Sequence, residues 1–246
     1  MILVFGGTTE GKKVAGILEK SGYQFCYSTK TEIDFQPGEY RFGAFIKERL
    51  EEFCIQHGVE VIVHASHPFA EELHQTIHLA AKVPVLRFER AYPERYHHPL
   101  IKYFSSYPAV ITYLEEKNVE GLLALTGVQT IEKLKPYWEK HKTVFRILPR
   151  ESSVVLAEKA GFPKENLILE MPGDDIVHEL AIINSNNIQC ILTKESGESG
   201  FLSVKIAAAL QAGIPILIIE RPALPETFIP VHNEEELLFQ LNQLLK

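Results

Sequence analysis

Short β-rich runs alternate with helical patterns through nearly the whole chain, and most of the β-rich runs are unbroken apolar stretches. They lie at 2–5, 24–29, 60–65, 83–88, 122–125, 143–148, 167–169, 189–193 and 214–219. Unbroken apolar strands belong to sheets covered on both faces, as parallel sheets are. The intervening segments have helical spacing. In 10–20, Val14, Ile17 and Leu18 share a face; in 45–57, Ile46, Leu50, Phe53 and Cys54 do; 199–212 stops at Gly213. Alternating β and α elements predict an α/β fold with parallel sheets.

The alternation also repeats. Segment 59–95 carries V-E-V-I-V-H-A, a helix, then V-P-V-L-R-F-E-R-A-Y-P-E. Segment 188–226 carries I-Q-C-I-L-T-K, a helix, then I-P-I-L-I-I-E-R-P-A-L-P-E. The starts I-L-V-F-G-G-T-T and L-L-A-L-T-G-V-Q match more weakly. The 246 residues are therefore expected to form two lobes. The expected division is 1–120, an N-terminal dinucleotide-binding lobe, and 121–246, a C-terminal lobe that completes a substrate cleft. Ligands of open parallel sheets bind beyond the carboxyl ends of the strands, and the polar clusters fall at those ends. Two such edges facing one another would make an interdomain cleft.

Composition narrows the classes. With 46% hydrophobic and 23% charged residues, the chain is neither disordered nor low-complexity. A net charge of -7 disfavours nucleic acid as a partner but leaves room for a local basic site. Cys26, Cys54 and Cys190 form no paired motif and are expected to be reduced thiols. Residues 1–7 lack the basic start of a signal peptide, and no apolar run reaches the ~18 residues of a membrane span. The expectation is a cytoplasmic protein with no membrane partner.

Four clusters carry the chemistry. Gly6, Gly7, Thr8, Thr9, Glu10 and Gly11 follow a strand and open a helix, where a dinucleotide pyrophosphate is held. Thr8 replaces the middle glycine of G-x-G-x-x-G, so its hydroxyl is expected to reach the phosphate; a tight turn with no ligand is the alternative. Ser28, Thr29 and Lys30 end the second strand, where a cation with hydroxyls favours a 2′-phosphate. NADPH is thus preferred over NADH, and Glu32 keeps the other option open. In H-A-S-H-P-F-A at 64–70, Pro68 is expected to start a helix capped by Ser66 or His67, with His67 facing a ligand. No compact ligand set for a metal joins His64, His67, His74 and His78. The fourth cluster is basic: Arg87, Arg90, Arg95, Lys102, Arg146, Arg150, Lys194, Lys205 and Arg221, most of them near strand ends, suit an anionic ligand. No nucleophile signature is present.

Together these motifs resemble the precorrin-6A and cobalt-precorrin-6A reductases of corrin (vitamin B12) biosynthesis. The matching runs are G-G-T-T-E-G at 6–11, A-S-H-P-F-A at 65–70, R-F-E-R at 87–90, T-G at 126–127, R-I-L-P at 146–149, T-K-E-S-G at 193–197 and E-R-P at 220–222. The chain departs from the family pattern at His64, where Asp is usual, at Ser66 for Thr, and at Gly173-Asp174-Asp175 for Gly-Pro-Phe. No acid–base role is assigned to His64.

The resemblance implies two Rossmann-like lobes, NADPH or NADH on the first, and a polycarboxylate tetrapyrrole in the cleft, its ring reduced by hydride. It implies that Arg87, Arg90, Arg146, Lys194 and Arg221 clamp carboxylates, with His67, Thr126, Gly127 and Ser196 lining the site. Lys194 is the catalytic candidate, polarising the ring or supplying a proton. A noncatalytic dinucleotide-binding sensor and another two-lobed enzyme, synthase-like or acting on a nucleotide sugar, are the alternatives. Oligomeric state and the presence of cobalt in the substrate stay open.

Overall fold

The computed structural model describes residues 1–35, 38–90, 92 and 94–245, and leaves the side chain of Ser199 undescribed. Ala91 and Pro93 of the first repeat unit thus lie outside the described residues. In chain order the elements are β1 (Ile2–Phe5), α1 (Thr9–Lys20), β2 (Phe25–Thr29), β3 (Glu39–Phe42), α2 (Lys47–Gln56), β4 (Val61–His64), α3 (Glu71–Ala80), β5 (Val85–Phe88), β6 (Ile101–Phe104), α4 (Tyr107–Glu116), β7 (Gly121–Ala124), α5 (Lys135–Trp138), β8 (Lys142–Ile147), α6 (Glu151–Lys159), β9 (Leu167–Leu169), α7 (Ile176–Ser185), β10 (Cys190–Lys194), α8 (Leu202–Gln211), β11 (Ile216–Ile219), β12 (Phe228–Val231) and α9 (Glu234–Leu244).

The strands form two six-stranded parallel sheets, ordered β12-β5-β4-β1-β2-β3 and β6-β11-β10-β7-β8-β9. Each is an α/β doubly wound sheet, its central strands fully buried because helices cover both faces. In the first, Val4, Val14, Leu18, Leu237 and Leu241 pack on one face and Leu3, Leu50, Ile62 and Ile77 on the other. In the second, Leu123, Ile183, Ile191, Ile206 and Ile218 share a core. Helix starts are fixed by side-chain caps, Thr8 on α1, Ser106 on α4, Asp175 on α7 and Asn233 on α9. Left-handed Asn118 and Asn187 turn the chain from α4 into β7 and from α7 into β10.

The division differs from the expected 1–120 and 121–246. One unit comprises Met1–Ala91 with Pro222–Lys246, the other Tyr92–Arg221. The repeat itself is real in register: β1, β4 and β5 stand to one another as β7, β10 and β11 do. What the repeat could not show is an exchange at its end. β6 and α4, which follow the first half, join the second unit, and β12 and α9, which follow the second half, return to the first. The sixth strand of each sheet therefore comes from the other half of the sequence. The strands not anticipated, β3, β6 and β12, are all edge strands. Half-exposed segments such as E-Y-R-F in β3 carry no unbroken apolar run to mark them.

Candidate functional site

In each sheet the order reverses at one strand, β1 between β2 and β4, and β7 between β8 and β10. The carboxyl ends of these strands are the two switch points where such folds bind ligands.

At the first, the turn after β1 is built by glycine. A Cβ on Gly6 would lie 2.1 Å from the Tyr27 ring, and one on Gly11 would lie 2.7 Å from Gly6 Cα. Gly11 thus lets α1 lie close against β1, the role of the third glycine of a dinucleotide loop. Gly7 has φ +90 and is exposed, its N–H donating to the Tyr27 hydroxyl at 2.9 Å. The Thr8 hydroxyl does not reach outward as expected. It donates to the Ala65 carbonyl at 2.7 Å and accepts from the Gly11 N–H at 3.0 Å, capping α1 and tying β1 to the end of β4. Gly7, one residue earlier, supplies the bare backbone that the motif assigns to its middle position. Thr9 is exposed at the helix start, whereas the Glu10 carboxylate turns away to accept from Arg90 at 2.7 Å.

At the end of β2 the hydroxyls are spent internally. Ser28 (2% exposed) accepts from Arg41, and Thr29 (5% exposed) donates to the Thr31 carbonyl and meets the Tyr40 hydroxyl. Of the expected phosphate readers, Lys30 alone is exposed.

The basic set is the main correction. Arg87 is 1% exposed, pairs with Glu89 and donates to the His64 carbonyl, so its guanidinium is engaged inside its own unit. Arg90 is held by Glu10. Arg146 is buried against Glu179 at 2.6 Å. Arg95 forks between Glu195 and Glu220. Arg87, Arg90 and Arg146 come with their own carboxylates, because an unpaired charge under a packed helix layer is too costly. Nor does Ser66 or His67 cap a helix: α3 begins at Glu71, and His67 Nδ1 accepts from the Phe69 N–H in the preceding turn. His67 is exposed.

At the second switch point Thr126 and Thr130 share a hydrogen bond of 2.6 Å beside Gly127, which has φ +85. Thr126 is thereby buried at 3% exposure, so Gly127 rather than Thr126 borders the solvent. Lys194 is half-buried at the last position of β10. Ser196 is buried, its Oγ 2.0 Å from where a Cβ on Gly200 would stand, which requires glycine there. Lys205 reaches the Gly200 carbonyl at 2.7 Å, and burial with the repulsion of Arg146 lowers it to about 8. Arg221 is exposed, its guanidinium 3.6 Å above the Tyr92 ring centroid.

The shared register makes this difference informative. It places Arg221 where Arg90 stands in the first unit, and the start-sequence match places Thr130 where Glu10 stands. The carboxylate that neutralises Arg90 is thus a neutral hydroxyl in the second unit.

A protein-family model described as "Precorrin-6x reductase CbiJ/CobK" matches residues 1–242. The chain is 32% identical over 235 residues to a cobalt-precorrin-6A reductase of Priestia megaterium, covering 90% of this chain and 91% of that one. The chain belongs to the CbiJ/CobK precorrin-6x reductase family. A precorrin-6A reductase of Rhodobacter capsulatus is 25% identical over 231 residues, 91% of this chain and 89% of that one. The solved structure titled "CobK precorrin-6A reductase" shares the fold, with a TM-score of 0.79 over 98% of this chain and 96% of that one at 22% identity.

As a CbiJ/CobK-type reductase, the chain is an oxidoreductase of cobalamin biosynthesis acting on a CH–CH group with a nicotinamide cofactor. The sensor, synthase-like and nucleotide-sugar alternatives fall with that. Among the described residues no helix is long and apolar enough to cross a membrane, and no cluster of three or more His, Cys, Asp or Glu could hold a metal ion. The β1–α1 turn fits the cofactor: an exposed glycine at φ +90 and the capped N-terminus of α1 give a phosphate bare backbone and a favourable dipole. The residues that sequence reasoning passed over are Tyr92, Glu195 and Arg41. Glu195 lies inside the T-K-E-S-G run, but a search for cations does not select a carboxylate.

Proposed function

We propose that the chain reduces cobalt-precorrin-6A, with Arg221 as the principal clamp for a peripheral carboxylate of the macrocycle. The cobalt form is the one named for the Priestia megaterium relative, which is 32% identical. The clamp rests on one observation: at the position equivalent to Arg90, the exposed Arg221 has its guanidinium 3.6 Å over the centroid of an aromatic ring, with Thr130 in the place of the neutralising Glu10. A guanidinium laid on a ring keeps its N–H edge directed outward, and that edge binds carboxylate bidentately.

The cofactor, when bound, supplies hydride to the ring. The chain's residues do the rest. The first turn of α1 holds its phosphates, Gly7 leaves room for them beside the turn, and Lys30, after β2, reads the adenosine ribose. Lys194, at the second switch point, holds a proton for the carbon next to the one reduced. His67 on the first unit and Gly127 on the second are each open to a ligand of their own sheet. With Ser28 and Thr29 turned inward, one exposed lysine is left to favour a 2′-phosphate, worth at most about 1 kcal/mol. NADPH is therefore preferred over NADH by about fivefold or less.

The test is anaerobic turnover of cobalt-precorrin-6A followed by loss of the nicotinamide absorbance. Arg221→Ala is expected to raise the substrate KM about ten- to a hundredfold, the range for a hydrogen bond to a charged group. An unchanged KM would overturn the clamp.

A further inference from the structure

Glu195 stands at the carboxyl end of a central strand of the second unit. It follows β10 directly and is 7% exposed. Its Oε1 accepts from Arg95 Nε at 2.9 Å; its Oε2 accepts from Arg95 Nη2 at 3.2 Å and from the Arg221 backbone N–H at 3.1 Å. Arg95 Nη1 reaches on to Glu220 at 2.6 Å, the residue before Arg221. The guanidinium of Arg95 lies 4.7 Å from the Tyr103 ring centroid, and the Tyr103 hydroxyl accepts from the Tyr96 N–H at 3.2 Å. Segment 94–96 is thereby fastened to the sheet edge, close in sequence to Tyr92, the platform for the Arg221 guanidinium.

Glu195 thus holds the backbone of Arg221 directly, and it holds Arg95, three residues after the Tyr92 platform. Register gives the contrast. The residue equivalent to Glu195 in the first unit is Ser66, and the equivalent of Arg221 is Arg90, which a carboxylate holds by its side chain. In the second unit the carboxylate has moved to the backbone and the neighbouring cation, which leaves the Arg221 side chain on its ring.

We propose that Glu195 is a positioning residue for the substrate clamp, fixing the Arg221 backbone and the Tyr92 ring so that the Arg221 guanidinium presents its edge at one place to a carboxylate of the macrocycle. The inference rests on the clamp reading of Arg221. A flexible arginine loses rotamer freedom when it binds, at about 0.5–1.5 kcal/mol, and a pre-set one avoids much of that cost.

The test compares Glu195→Gln, Tyr92→Leu, Tyr92→Phe, Arg221→Ala and Glu195→Gln/Arg221→Ala in turnover of cobalt-precorrin-6A, with a thermal melt of each. Glu195→Gln and Tyr92→Leu should each raise the substrate KM by about tenfold or somewhat less, with kcat and the nicotinamide KM within about twofold. Tyr92→Phe keeps the ring and should keep the KM. The double variant should bind substrate no worse than Arg221→Ala alone, because Glu195 acts through that side chain. Should Glu195→Gln fail to fold, the Tyr92 pair carries the same comparison. A KM unchanged in folded Glu195→Gln, equal KM values for Tyr92→Leu and Tyr92→Phe, or additive losses in the double variant would overturn the positioning role. If Arg221→Ala alone leaves KM unchanged, the clamp reading fails first and the positioning role with it.

Discussion

His64 and His74 lie side by side in the interior, their ring centroids 5.0 Å apart, with His64 0% and His74 2% exposed. Burial and the nearby Arg87 charge hold both below the usual imidazole range, His74 at about 4. The unfolded chain takes up protons near pH 6.5 that the fold refuses, so stability falls as pH drops from about 6.5 to about 4. For His74 the loss is about 3 kcal/mol across that window. Urea midpoints at pH 7 and pH 4.5 should differ accordingly, and His74→Leu should flatten the difference; equal wild-type midpoints would refute it. Lys30 gives a second residue-level expectation. Lys30→Ala should bring the NADPH and NADH preferences within about twofold of each other, read as the ratio of kcat/KM; an undiminished preference for NADPH would place the 2′-phosphate reader elsewhere. Residue types at strand ends were legible in the sequence, but their pairing was not. Arg87, Arg90 and Arg146 read as ligand-binding cations because Glu89, Glu10 and Glu179 give no sign in the sequence of turning toward them.

The β1–α1 element was legible almost completely, because glycine spacing reports backbone geometry directly. The Thr8 hydroxyl was misread because its acceptor, the Ala65 carbonyl, lies 57 residues away. Gly11 tests the element. A Cβ there would meet Gly6 Cα and the Tyr27 hydroxyl, each at 2.7 Å, so α1 must lift from β1. Gly11→Ala should cost about 1–3 kcal/mol, lower the melting temperature by roughly 2–12 °C and weaken NADH binding in a fluorescence titration. Unchanged melting and binding would show that α1 has slack against the sheet. The start of α3 shows the opposite limit. Pro68 and Ser66 looked like a helix start, yet the helix begins at Glu71, since a favoured N-terminal residue is also a favoured turn residue.

At the scale of the molecule, the repeat disclosed two similar sheets but not the exchange of their sixth strands, because an equivalent strand fits either sheet. The returning segment completes the first core: Val231, Leu237 and Leu241 are each 1% exposed or less. A chain ending at Arg221 should therefore lose hydrogen-exchange protection throughout 1–91 while keeping it in 92–221; retained protection in β1 and β4 would mean that β12 and α9 are dispensable. Charge is organised differently from the expected basic lining. The net -7 covers strand-end arginines that are neutralised in place, with Arg221 set apart by its ring platform. The most direct measurement compares Arg221→Ala with Arg90→Ala in cobalt-precorrin-6A turnover. Arg221→Ala should raise the substrate KM about tenfold or more, whereas Arg90→Ala, which frees Glu10 in the cofactor turn, should raise the nicotinamide KM and leave the substrate KM within about twofold. Equal increases in substrate KM for the two variants, or none for Arg221→Ala, would contradict the account.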